Sequence, residues 1–464
     1  MEPKVMRHLF NPRSVAVVGA TDSPDRVGYN LLESILYGGY AGKVYPVHPR
    51  LGTLQGLTVY PSLEDIPGPV DVAVVAVNQH ATVETIARCG RLGIKAAICV
   101  AGGYRETGDD GLHLEERLVS LAREHGMALV GPNTLGLINT GADFYSTFYP
   151  LRLPKGNVSL VSQSGGMGLT MMHKAADEGL GVNKWVGVGN RSTLEISHYL
   201  EYLARDEETG VIGIFLEGTE EARELVRAAS RIAKTKPVVV YKAGRFKTAD
   251  FAALTHTGTA AGSYRMYRDI FMDQFGVLMV DSVAELVAAC KALSLSKLPA
   301  GEGLGIVTHT AGPSIALLDL AARRGIPVPT LQEETIGKIK GVLGLNPPVV
   351  LKNPLDTVGV GFEAGIYGRV VNAVLEDPAI DLMVAIYCWH KNWRFPSPEL
   401  LAAQRRSGKP VLAYYVTTWE DCREERRILQ EAGVPLYISP EEAAGAVSAL
   451  VHYSNASGRE KDAG

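Results

Sequence analysis

The sequence predicts an α/β protein built from three consecutive domains, and two observations carry that prediction. Short, continuously apolar runs such as Ser14–Val18 and residues 70–77 alternate with segments of helical periodicity. Strands that are apolar on both faces belong to parallel sheets covered by helices on both sides. The alternation persists over 464 residues, and Pro/Gly-punctuated segments at 150–157 and 296–303 break it twice. That length accommodates about three domains.

Taken in order, the first strand, Ser14–Val18, closes at Gly19 and is followed by a helix over residues 27–36. Further strands fall at 44–47, 70–77, 96–100 and 128–130 and complete a Rossmann-like domain over 1–150. A second cycle opens at 158–161 and continues through 184–188, 211–216 and 237–242, giving a domain over 151–298. A third opens at 304–307 and includes 381–387 and 410–415, giving a domain over 299–464. The last two domains are expected to be flavodoxin-like, and the tail after His452 is expected to fray.

Composition narrows the function classes. A formal net charge of −4 argues against nucleic acid or an anionic membrane as the main partner. The five cysteines are scattered and never form CxxC, so they read as reduced thiols, not a disulfide frame or a metal site. No apolar run approaches the ~18 residues of a membrane span, and Met1-Glu2-Pro3-Lys4 lacks a signal pattern. The expectation is a soluble cytoplasmic protein.

The first strand–turn–helix is suited to a nucleotide-bearing cofactor. Gly19, Ala20, Thr21, Ser23, Arg26 and Val27 join strand to helix. A glycine permits the tight turn, and helix-start amides hold an anion. A dinucleotide fold wants a carboxylate after the second strand to take the ribose hydroxyls. Here His48 and Arg50 stand there instead, which suits a phosphorylated ribose, as in NADP or the 3′-phosphate of coenzyme A. Val77 with Asn78, Ala101 with Gly102, and Asn133 lie at later strand ends of the same sheet, where ligands collect.

A second anion cradle follows the strand at 158–161. Ser162, Ser164, Gly165 and Gly166 close that strand and open a helix, the arrangement that holds a phosphate. Glu217 sits at the C-terminal end of strand 211–216, where a carboxylate can fix the tautomer of an imidazole. The segment from Ala249 to Gly262 is made almost entirely of small residues around one histidine, His256. Such a loop buries little side-chain volume and presents a nucleophile, which suggests covalent phosphoryl chemistry.

These segments, in this order, resemble the α subunit of an ADP-forming acyl-CoA synthetase, a relative of the succinyl-CoA synthetase α subunit. The resemblance runs from about Ser14 to about Leu450. It rests on Gly19-Ala20-Thr21 with Val27-Gly28, Gly131-Pro132-Asn133, Ser162-Gln163-Ser164-Gly165-Gly166 and Thr255-His256-Thr257-Gly258. It implies that His256 carries a phosphoryl group, that Glu217 orients it, and that the first domain binds coenzyme A. It further implies phosphate and a carboxylic acid or acyl-CoA as substrates. ADP or ATP, with Mg, would bind on a separate ATP-grasp β subunit in an α2β2 assembly, because this chain has neither a P-loop nor length for ATP-grasp domains. The alternative is a non-catalytic CoA-binding regulatory protein of the same fold. The chain departs from the family pattern at Asn78-Gln79, at Thr134, where Cys is common, at Arg191, where an acidic residue often stands, and at Thr308–Pro313.

Overall fold

The computed structural model describes residues 3–219, 221–246, 264–274, 276–344 and 351–462. His256 and its loop lie outside the described residues. Three sheets organise the chain, all wound the same way. The first is formed by β1 (Ser14–Val18), β2 (Lys43–Val47), β3 (Val72–Val75), β4 (Ala96–Cys99) and β5 (Ala128–Val130), in the order β2-β1-β3-β4-β5 and parallel throughout. Its central strands are solvent-free, as the unbroken apolar runs require. Helices α1 (Pro3–Phe10), α2 (Val27–Tyr37), α3 (Gln79–Arg91) and α4 (Asp109–Glu124) belong to this part of the chain.

The second sheet begins before the boundary expected at residue 150. β6 (Leu137–Asn139) and β7 (Phe144–Tyr145) join it as an antiparallel edge. The rest comprises β8 (Lys155–Ser162), β9 (Val182–Gly187), β10 (Val211–Leu216), β11 (Val238–Lys242) and β12 (Leu278–Val280), in the order β12-β11-β10-β8-β9-β6-β7. Helices α5 (Gly165–Asp177), α6 (Ile196–Arg205) and α7 (Ala222–Ala233) accompany it. The first and second sheets share one hydrophobic core, which includes Val17, Ile98, Val130, Val161, Val186 and Ile214. That continuity is why the chain divides by contact into two compact units, not three. The first unit is Met1–Ala176 with Leu180–Met279; the second is Asp177–Gly179 with Val280–Gly464.

The second unit carries β13 (Leu304–Thr308), β14 (Leu355–Asp356), β15 (Leu382–Cys388), β16 (Val411–Val416) and β17 (Leu436–Tyr437), in the order β14-β13-β15-β16-β17. It starts earlier than the segment at 296–303, because α8 (Val283–Leu295) packs into its core through Ala288 and Ala292. There α8 meets Ala443, Ala446, Val447 and Leu450 of the C-terminal helix, which spans Pro440–Asp462. The tail does not fray at His452. Tyr453 is buried, and the Ser454 hydroxyl donates to the Pro299 carbonyl at 2.7 Å.

One buried charge pair anchors this second unit. Lys291 of α8 is fully enclosed, its Nζ donating to Glu178 Oε2 at 2.6 Å and to the Leu436 carbonyl at 2.7 Å. The ammonium also lies 4.2 Å from the Tyr437 ring centroid. Lys291→Met removes one partner and leaves the Glu178 carboxylate buried without its cation. The expected loss is about 3–5 kcal/mol, read as a lowered chemical-denaturation midpoint with an unchanged slope.

Candidate functional site

All three sheets reverse winding direction at their first strand, so the switch points lie between β1 and β3, β8 and β10, and β13 and β15. Loops on either side of such a point diverge and leave a crevice beyond the strand C-termini. Of the residues singled out in the sequence, those the structure describes fall at the first two crevices.

At the first crevice, Gly19 has φ +89°, and a Cβ there would meet the Ala76 carbonyl oxygen at 2.6 Å. A Cβ on Gly28 would meet the Gly19 carbonyl oxygen at 1.9 Å, so these two glycines set how closely β1 and α2 approach. Ala20, on this turn, is buried. The Thr21 hydroxyl accepts from Ser23 N at 3.3 Å. Helix α2 starts after exposed Arg26 with no side-chain cap at its end, and Val27 is half-exposed. His48 Nδ1 accepts from Arg50 N at 3.2 Å at the end of β2, with Arg50 exposed. Val77 flanks Gly19, whereas Asn78 does a structural job, capping α3 by accepting from Ala81 N at 3.0 Å. Ala101 and Gly102 follow β4 on the way to Asn133.

At the second crevice lies a cavity of about 430 Å³. Ser164, Gly165 and Gly166 at the start of α5, Glu217 at the end of β10, and Asn133 all line it. Ser162 does not reach it; its buried hydroxyl donates to the Ser164 carbonyl at 2.7 Å. Gln163 is what locks the two strand ends together. Its Oε1 accepts from Glu217 N at 2.8 Å and from Gly218 N at 3.1 Å. The Gly19–Arg50 set does not line this cavity, so the structure separates the predicted residues into two neighbourhoods, with Gly102 and Asn133 on the side toward the cavity.

The cavity wall includes groups that sequence reasoning did not select. Glu106 Oε1 accepts from Gly103 N at 2.7 Å and from Tyr104 N at 3.2 Å. Its Oε2 accepts from Asn190 Nδ2 at 2.7 Å. The same amide nitrogen donates to buried Glu115 Oε2 at 3.0 Å. Glu115 also accepts from the Ser192 hydroxyl at 2.6 Å and from Arg105 Nε at 2.6 Å. Asn190 therefore has both amide hydrogens held, and its Oδ1 accepts from Asn133 Nδ2 at 3.4 Å. Asn133 adopts the left-handed region at φ +58°, which asparagine tolerates. Burial works to raise the Glu106 pKa, but the hydrogen bonds from Asn190 and the nearby backbone amides outweigh it and hold the carboxyl below the usual range. Sequence reasoning missed Glu106 because Asn190, its side-chain partner, lies 84 residues away in the chain. Thr134 and Phe148 complete the wall. Among the described residues, no group of three or more His, Cys, Asp or Glu side chains could hold a metal ion.

A helix start beside a carboxylate in the second sheet, next to a first sheet with its own strand–turn–helix at Gly19, belongs to a CoA-binding protein of the succinyl-CoA ligase class. The comparisons agree with that class. A CoA binding domain model matches residues 13–140, and a succinyl-CoA ligase like flavodoxin domain model matches residues 155–293. The α subunit of acetate–CoA ligase (ADP-forming) II from Pyrococcus furiosus is 34% identical over 96% of this chain and 97% of its own length. Acetate–CoA ligase (ADP-forming) I from Archaeoglobus fulgidus is 35% identical over 98% of this chain, which covers 65% of that longer protein. The solved structure of the Ca. Korarchaeum cryptofilum dinucleotide-forming acetyl-coenzyme A synthetase 1, in complex with phosphate and ADP, matches with a TM-score of 0.89 and 34% identity, covering 99% of this chain and 98% of that one. The chain belongs to the family of ADP-forming acetate–CoA ligase α subunits.

Two outcomes follow from this geometry. Gly28→Ala forces a methyl group onto the Gly19 carbonyl, so coenzyme A binding measured by calorimetry should weaken at least about tenfold. Lowering of the Glu106 pKa stabilises the fold above the ordinary glutamate range, and that stability is lost as pH falls through the lowered value. Glu106→Gln should therefore flatten the acid limb of the melting-temperature curve below about pH 4.3, with melts across that range as the measurement.

Proposed function

We propose that this chain is the CoA- and acid-handling subunit of an ADP-forming acid–thiol ligase. The observation that carries the reading is the convergence of the α5 N-terminus and Glu217 on one cavity at the β8/β10 switch point. Coenzyme A would lay its phosphorylated nucleotide at Gly19–Val27 with His48 and Arg50 beside it, and run past Val77, Asn78, Ala101 and Gly102 so that its thiol arrives near Asn133. In the first step a phosphate oxygen attacks the thioester carbonyl. The thiolate leaves and takes a proton, giving an acyl phosphate and free coenzyme A. In the second, an imidazole nitrogen of His256 attacks phosphorus, and the carboxylate of the acid leaves. In the third, phosphohistidine passes its phosphoryl group to ADP. Each step is reversible.

The chain's own groups supply positioning and charge. Amides at Ser164–Gly166 and the α5 dipole stabilise the phosphoryl oxygens, which gather negative charge during transfer. Glu217 accepts a hydrogen bond from one imidazole nitrogen and keeps the other unprotonated for attack. A separate ATP-grasp β chain with Mg would bring ADP, and an α2β2 assembly would join the two. In support, single-chain relatives extend well beyond the part this chain covers. A cytoplasmic setting agrees with the absence, among the described residues, of a helix long and apolar enough to cross a membrane.

The test is labelling of the purified chain with radioactive ATP in the presence of its ATP-grasp partner. Wild type should take up acid-labile, base-stable label, and His256→Ala should take up none. Glu217→Gln should reduce labelling by roughly 100-fold while leaving coenzyme A binding intact. No label on the wild type, with coenzyme A still bound, would move the protein to the regulatory class.

A further inference from the structure

The reaction cavity is poorly supplied with positive charge for a site that must gather a phosphate and a carboxylate. Two carboxylates line it, Glu106 and Glu217, against two guanidinium groups, Arg105 and Arg191. Arg105 is committed to Glu115, through Nε at 2.6 Å and Nη2 at 2.5 Å. Arg191 stands differently. It is nine-tenths buried, with 7% exposure, and its Nη1 pairs with Glu195 Oε2 at 3.1 Å. Among the described residues its Nε has no hydrogen-bond partner. A buried guanidinium with an unused donor is costly unless something else occupies it.

The backbone has also been bent to place this side chain. Arg191 sits at φ +60°, a left-handed conformation that a residue with a long side chain rarely adopts. Its neighbours on both sides are tied down, Asn190 N to the Pro132 carbonyl at 2.9 Å and Ser192 N to the Gly131 carbonyl at 3.2 Å. Arg191 is held in this conformation by a turn that is itself pinned at Asn190. It lines the reaction cavity and also a second cavity of about 950 Å³.

We propose that Arg191 is a substrate-recognition residue that binds a substrate oxyanion opposite the α5 N-terminus. Guanidinium pairs bidentately with carboxylate and with phosphate alike, so either the acid or inorganic phosphate is the source of that oxyanion. The inference rests on the ligase reading above, and it assigns to Arg191 the cation that Glu106 and Glu217 make necessary.

The first half-reaction tests it without nucleotide. Arsenate replaces phosphate, attacks acetyl-CoA and releases coenzyme A, and the acyl arsenate then hydrolyses to acid and arsenate. Free thiol is the readout, with melting temperatures recorded for every variant. Wild-type turnover supports the ligase reading, whereas its absence refutes that reading and this inference with it. Given turnover, Arg191→Lys should raise the arsenate KM, or the inhibition constant for added acetate, by roughly 10- to 100-fold. The acetyl-CoA KM should stay within about twofold. An arsenate effect assigns phosphate as the ligand; an acetate effect assigns the carboxylate. Glu195→Gln frees Arg191 from its ion pair and should hold or lower the same constant. If Arg191→Lys changes only kcat or the acetyl-CoA KM, or if Glu195→Gln raises the same constant equally, Arg191 is a structural ion-pair partner and the proposal is overturned. Should Arg191→Lys fail to fold, the Glu195→Gln result decides alone.

Discussion

The reaction cavity depends on the capture of one side-chain amide. Asn190 sits on the loop after β9 of the second sheet, and its two amide hydrogens are taken by Glu106 and Glu115, which follow β4 of the first sheet. Burying Glu115 beside a second carboxylate, Glu106, is costly unless their lone pairs are filled. Here they are filled by Asn190, Ser192, Arg105 and the backbone amides of Gly103 and Tyr104. The network therefore holds three loops from two sheets in register. Asn133, Arg191 and the cavity wall take their positions from it.

A second constraint comes from winding. In each of the three sheets the first strand of the parallel run, β1, β8 or β13, takes its next strand on one side, and the later strands add on the other. Parallel strands put every strand-end loop on the same edge, and the reversal leaves a gap between two of them. The same device opens a crevice beside Gly19 in the first sheet and the cavity beside Glu217 in the second. In the third sheet the gap is closed: His309 Nε2 accepts from Cys388 N at 2.9 Å, joining the loops after β13 and β15. The His309 ring is packed among Phe362 and Tyr387, and burial pulls its pKa down to about 4. This third crevice is filled with aromatic rings and a neutral imidazole, in keeping with a packing role.

Electrostatics divides the labour within the first unit. Helix-start amides supply partial positive charge at no desolvation cost for a full cation. A guanidinium supplies a full charge but must be paired or occupied when buried. The cavity uses both: the α5 start on one wall, and Arg191, half-satisfied by Glu195, on another.

The sequence by itself determined what local chemistry dictates. Apolar runs, turn glycines and helix starts made the parallel α/β class legible, and so did the strand-to-helix turns at Gly19–Val27 and Ser164–Gly166. Glu217 was legible because a strand end can be read from its own residues. Tertiary structure alone decided which of these share a cavity. Ser162 looked equivalent to Ser164, yet its hydroxyl turns inward to the Ser164 carbonyl, and the Asn78 side chain caps a helix as well as standing at a strand end. The strands at 137–145 and the C-terminal helix took their places because edge pairing in one case and a buried alanine face in the other outweighed local signals. Glu106 and Glu115 lie far along the chain from Asn190 and Arg191, and a charged or amide side chain carries no local mark of its partner. Only folding, which brings such groups within hydrogen-bond distance and removes water from between them, turns four ordinary polar residues into one site.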